Sequence, residues 1–84
     1  MEFPTIIVNL KAYPHGIGEK SVKVSQAIAE AGEEKDIHVG SSPQYADLYR
    51  VSSQVDVPVF AQHVDPLEPG RGTGSLLAEA AKEA

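Results

Sequence analysis

Asn9 and Lys11 stand two positions apart at the end of the apolar, β-branched run Thr5-Ile6-Ile7-Val8. Residues i and i+2 of a strand project to the same face, roughly 7 Å apart. An amide and an ammonium are therefore expected side by side on a segment that otherwise reads as buried. A buried ammonium without a partner costs several kcal/mol or loses its proton. Lys11 thus calls for an anion, either a carboxylate of the protein or a bound ligand. Ser41 and Ser42 follow a second apolar run, and Gln62 and His63 a third. If the three runs are parallel strands, all these polar groups gather at the carboxyl ends, where parallel α/β proteins bind ligands.

The elements that would position them alternate in type. Residues 5–11 read as a strand, and Tyr13-Pro14-His15-Gly16 as a loop. From Gly18 to Lys35, Val24, Ala27, Ile28 and Ala31 recur at helical spacing and predict an apolar face. Ile37 to Ser41 predicts a second strand, and Ser42-Pro43 a helix start with serine at the N-cap and proline in the first turn. Leu48, Val51 and Val55 mark the buried face of that helix, which should end between Ser53 and Asp56. Val57 to Gln62 predicts a third strand, and Ser75 to Ala84 a third helix. The order βαβαβα implies right-handed crossovers, a parallel sheet, and strands covered on both faces.

Composition narrows the partners. The 84 residues hold 7 Lys plus Arg against 12 Asp plus Glu, a net charge of −5, with the basic groups scattered. This balance argues against nucleic acid and anionic membrane surfaces. No apolar run is long enough to span a bilayer. Cysteine is absent, which excludes disulfides and thiolate metal sites within these residues and fits a cytoplasmic setting.

Other features carry less. Gly70-Arg71-Gly72-Thr73-Gly74 lacks the spacing of a dinucleotide loop and reads as a turn-rich protrusion whose glycines permit positive φ. His15, His38 and His63 have no metal-ligand spacing; His63 and Asp65 fit either a hydrogen-bonded pair or two zinc ligands, and read as the pair. Gln62, from its own context, reads as a satisfied buried amide bonded to backbone. Tyr45 and Tyr49, one helical turn apart, read as packing residues.

Four stretches together, "VNLKAYP", "SPQYADLYRV", "VPVFAQHVDPLEPGRGTG" and "LLAEA", resemble the amino-terminal part of the triosephosphate isomerase family, most closely its archaeal branch. The resemblance runs the length of the chain. It implies an α/β architecture in which residues 1–84 form a partial (β/α)8 TIM barrel, three of its eight units. It also implies the glycolytic and gluconeogenic interconversion of glyceraldehyde 3-phosphate and dihydroxyacetone phosphate, with no cofactor and no metal. Asn9 and Lys11 match the family's substrate-facing asparagine and lysine, so the anion for Lys11 would be the substrate. The loop from His63 to Gly74 would insert into a neighbouring subunit of a homo-oligomer, dimer or tetramer. There Thr73, with Gln62, would support that subunit's Asn9 and Lys11. The family's catalytic histidine and glutamate lie on later strands, so these 84 residues alone are expected to be inactive. Two other readings stand beside this one: a non-catalytic phosphate-binding module, and an interaction fragment that completes a partner barrel.

Overall fold

In the computed structural model, residues 4–84 are described. Two parallel strands, β1 (Thr5–Asn9) and β2 (His38–Ser42), pair in register from Thr5 opposite His38 to Asn9 opposite Ser42. Helix α1 (Glu19–Lys35) connects them, α2 (Leu48–Gln54) follows β2, and α3 (Ala78–Glu83) is last. Single 3-10 turns at Pro14–Gly16 and Tyr45–Asp47 lead into α1 and α2.

Helix α1 begins and ends on backbone conformations with positive φ. Gly18 precedes it at φ +61, and Asp36 ends it in the left-handed region at φ +55. From there Ile37 donates to the Gly32 carbonyl at 2.8 Å, and the chain enters β2 two residues after the helix.

The buried face of α1 differs from the predicted one. Ser21, Val22, Ser25 and Gly32 are buried, whereas Ala27 and Ala31 are exposed and Val24 and Ile28 only half-buried. The reason is distance. Ser25 and Ser41 share a hydroxyl–hydroxyl hydrogen bond of 2.8 Å within the core. A Cβ on Gly32 would stand 2.6 Å from a Val39 methyl. Ser25 and Gly32 let the helix approach β2 closely along this line, and the apolar face that periodicity marks is turned to the side. Ile28 and Ala31 instead line a groove of about 230 Å³ with Ile6, Val8, Ile37 and Val39, beside β1.

The α2 face matches expectation: Leu48, Val51 and Val55 are buried, and Val51 and Val55 join Val22 in the core cluster. Its start does not. Ser42 closes β2, where its carbonyl accepts the Leu10 N–H at 3.0 Å and is unavailable to begin a helix. Pro43 is fully buried, and Gln44 is still extended before the 3-10 turn. Tyr45 and Tyr49 are 61 % and 67 % exposed rather than packed: Tyr45 lies in the 3-10 turn before α2 and not on the helix, and Tyr49 lies off the Leu48–Val51–Val55 stripe.

The third predicted strand is reduced to one parallel bridge. Ser41 donates to the Pro58 carbonyl and Phe60 donates to the Ser41 carbonyl, both at 2.9 Å, pairing Ser41 with Val59. Pro58 has no N–H, and no described strand borders the other side to extend the ladder. Nor is β1 covered on both faces: Ile6 is 56 % and Ile7 45 % exposed on a strand bordered, among the described residues, only by β2. Helix α3 begins three residues later than predicted, since Ser75 and Leu76 are engaged in closing the preceding loop.

One buried acid, Asp47, ties the helices together. Its carboxylate accepts the Gly18 N–H at 2.9 Å and the Arg50 Nε–H at 3.2 Å, while Arg50 also reaches Glu19 at 3.1 Å. Gly18 cannot cap α1 with a side chain, so Asp47 satisfies its N–H from another element. Asp47→Ala in the full-length protein is expected to cost about 1–2 kcal/mol, because it leaves the half-buried Gly18 N–H without its acceptor while Arg50 keeps Glu19. Denaturant unfolding measures this directly.

Candidate active site

The strand ends bring Asn9, Lys11, Ser42 and Gln62 together. β1 stops at Asn9, not at residue 11, and the chain turns at once. The Asn9 side-chain oxygen accepts the Lys11 N–H at 2.9 Å, and Lys11 sits at φ +52. A non-glycine residue in the left-handed region costs roughly 1–2 kcal/mol, so its neighbours must hold it there. The predicted side-by-side projection of Asn9 and Lys11 from one strand face is therefore replaced by a turn in which the asparagine holds the lysine backbone.

Gln62 provides the second restraint. Its Nε2 lies 3.0 Å from the Ser42 carbonyl, 3.2 Å from the Lys11 carbonyl and 3.3 Å from the Asn9 side-chain oxygen. One amide thus links the ends of β1 and β2 and fixes the carbonyl of the strained residue. The expected bonding to backbone is met within the chain, but the expected burial is not: Gln62 is exposed, because it lies at the open carboxyl end of the two strands.

The Lys11 ammonium itself is exposed. Among the described residues no carboxylate lies within ion-pair distance of it. The internal-carboxylate answer to the question raised by its sequence position finds no support here. A lysine whose backbone is held by two amides at the mouth of a parallel sheet, and whose ammonium is neutralised by no described residue nearby, is suited to an anionic ligand.

The loop after Gln62 is compact. His63 Nε2 stands 3.5 Å from Asp65 Oδ2, within ion-pair distance but without the hydrogen bond expected of the pair, and the Tyr45 ring meets the imidazole edge-on at 6.5 Å. His15 instead stacks on Tyr13 at 5.7 Å. No group of three or more His, Cys, Asp or Glu among the described residues could hold a metal ion. Thr73 lies exposed in a tight turn, its N–H donating to the Arg71 carbonyl at 2.7 Å. Of the three glycines around it only Gly74 has positive φ, at +84. Within this chain Thr73 has no hydrogen bond to Asn9 or Lys11. Asp47 and Asp65, the two carboxylates that organise this end of the molecule, are not singled out for that role by the sequence. Their spacing to Gly18 and Leu76 gives no local signal.

Parallel strands joined by a helical crossover, with polar side chains converging at their carboxyl ends, define an α/β unit of the kind that carries its site on the loops following the strands. The family model for triosephosphate isomerase matches residues 4–84, and the chain belongs to the triosephosphate isomerase family. It is 46 % identical over 81 residues to the triosephosphate isomerase of Methanococcoides burtonii, covering 96 % of this chain and 37 % of that protein. It is 43 % identical over 84 residues to that of Methanobrevibacter smithii, covering all of this chain and 38 % of the relative. A similar match, 42 % identical over 84 residues, covers all of this chain and 38 % of the protein of Methanothermus fervidus. The chain thus spans somewhat more than a third of the length of these relatives.

Proposed function

We propose that these residues are the amino-terminal three βα units of an eight-unit barrel that interconverts glyceraldehyde 3-phosphate and dihydroxyacetone phosphate in glycolysis and gluconeogenesis. The observation that carries this reading is Lys11: an ammonium without a described carboxylate partner, fixed through its backbone by Asn9 and Gln62 at the sheet's carboxyl end. In the reaction a base moves a proton between adjacent carbons and negative charge develops on the oxygens of an enediolate-like species. Lys11 would offset that charge and the phosphate's, and Asn9 would hold lysine and substrate in place. The base and the electrophile would come from the remainder of the barrel. The same remainder would pair with the open edge of β1 and cover Ile6, Ile7 and the groove beside α1. No cofactor enters this scheme. The enzyme would be a cytoplasmic homo-oligomer assembled through the 63–74 loop.

The 84 residues alone are expected to give no turnover in a coupled isomerase assay, and co-expression with the remaining barrel segment to restore it. Turnover by the isolated chain that disappears on Lys11→Ala would overturn the division of labour. Saturable binding of a triose phosphate by the isolated chain, without rescue by the missing segment, would favour a phosphate-binding module instead.

A further inference from the structure

We infer that Asp65 is a positioning residue that sets the shape of the loop between residues 65 and 76 before any neighbouring subunit engages it. The inference rests on the reading that this loop presents Thr73 to a second copy. The loop is closed at its base from both sides of one residue. The Asp65 N–H donates to the Leu76 carbonyl at 2.7 Å, and its carboxylate accepts the Leu76 N–H at 2.7 Å. Leu77 adds a parallel bridge to Asp65, and the Asp65 carbonyl accepts the Leu67 N–H at 2.8 Å.

The carboxylate is the one described acceptor for the Leu76 N–H, so removing it orphans that donor and opens one side of the closure. His63 contacts the same oxygen and Tyr45 contacts His63, so the closure is braced against the turn that precedes α2. Within the loop, Ser75 donates to the Gly72 carbonyl at 2.9 Å, and the Gly72 backbone packs under Leu67, where a Cβ would stand 3.1 Å from the leucine methyl. The turn carrying Thr73 is therefore built on contacts within the chain. A segment already ordered loses less conformational freedom on association than one that must fold onto its partner. Asp65, far from Lys11 in sequence, would act on the site through the shape of this loop.

The test uses the full-length enzyme with Asp65→Ala and Asp65→Asn. The asparagine variant is the informative comparison: its amide oxygen still accepts the Leu76 N–H but carries no charge. Native-state hydrogen exchange at Leu76 and sedimentation equilibrium are the two readouts. In Asp65→Ala, both the Leu76 exchange rate and the subunit dissociation constant are expected to rise roughly tenfold to a hundredfold, the consequence of losing one charge-assisted hydrogen bond. In Asp65→Asn, both are expected to rise less, by about threefold to tenfold and by less than in Asp65→Ala, because the neutral bond remains. Unchanged Leu76 protection in Asp65→Ala overturns the inference. So does faster exchange with an unchanged dissociation constant, provided that shortening the loop itself still yields monomers. If the shortened enzyme stays assembled, the oligomer reading has failed, and the inference falls with it.

Discussion

Lys11→Met in the full-length enzyme is expected to remove most of the catalysis and leave the fold almost untouched. Methionine matches the length of the lysine stem, and the contacts that hold residue 11 are made by its backbone: the N–H to Asn9 and the carbonyl to Gln62. Those bonds survive the substitution, as does the left-handed conformation at φ +52, which methionine tolerates no worse than lysine. The stability cost depends on what the ammonium leaves behind. Had it neutralised a buried carboxylate, removing it would cost on the order of 3–5 kcal/mol. Among the described residues it neutralises none, and an exposed side chain of this kind is expected to change stability by less than about 0.5 kcal/mol. Activity should respond very differently. A preorganised donor aimed at developing charge is worth roughly 10²–10³ in kcat, and a full positive charge facing a phosphorylated substrate adds to the effect on KM. Steady-state kinetics and thermal unfolding on the same preparation separate the two outcomes. Stability lost with activity retained would remove Lys11 from the substrate-binding role.

The parts of this molecule that can be read from its sequence are those set by local periodicity. Strand β1, helix α1 and strand β2 fall within one or two residues of the predicted spans. The Leu48–Val51–Val55 stripe is also the buried face of α2. Reading fails where a distant partner decides. Periodicity points to Val24, Ala27, Ile28 and Ala31, but close approach to β2 selects Ser25 and Gly32, which a hydrophobicity pattern passes over. The Val57–Gln62 run has strand-forming residues, yet a strand exists only to the extent that neighbours pair with it, and among the described residues Ser41 alone does. Asp47 resembles any acid near a helix start until the chain brings Gly18 to it from 29 residues away. The site divides in the same way. Asn9, Lys11 and Gln62 are legible as polar groups at apolar strand ends, whereas the turn at Lys11 is not, because no glycine marks its positive φ.

Shortening the loop by removing Glu68 to Thr73 from the full-length enzyme is expected to produce monomers whose activity is lower by about 10²-fold or more. The deletion is designed to spare the fold. Asp65 and Leu76 remain to close the base, with Pro66, Leu67, Gly74 and Ser75 between them. What disappears is the exposed tip. That tip is ordered by its own hydrogen bonds, and Val64 and Leu67 remain 47 % and 51 % exposed beside it. A shaped, partly apolar protrusion is suited to insertion into a partner, where burial of those side chains would contribute to association. Thr73 at the tip would then reach a second subunit's Asn9, the residue that holds the Lys11 turn. Loss of that support would leave Lys11 restrained by its own chain alone, and a displacement of about 1 Å at a charge-stabilising group is enough for a loss of about 10²-fold. Sedimentation velocity reports the oligomeric state, and initial rates at matched subunit concentration report the activity. Monomers with full turnover would show that assembly does not order the site. If both oligomeric state and turnover were unchanged, the 63–74 loop would have neither role.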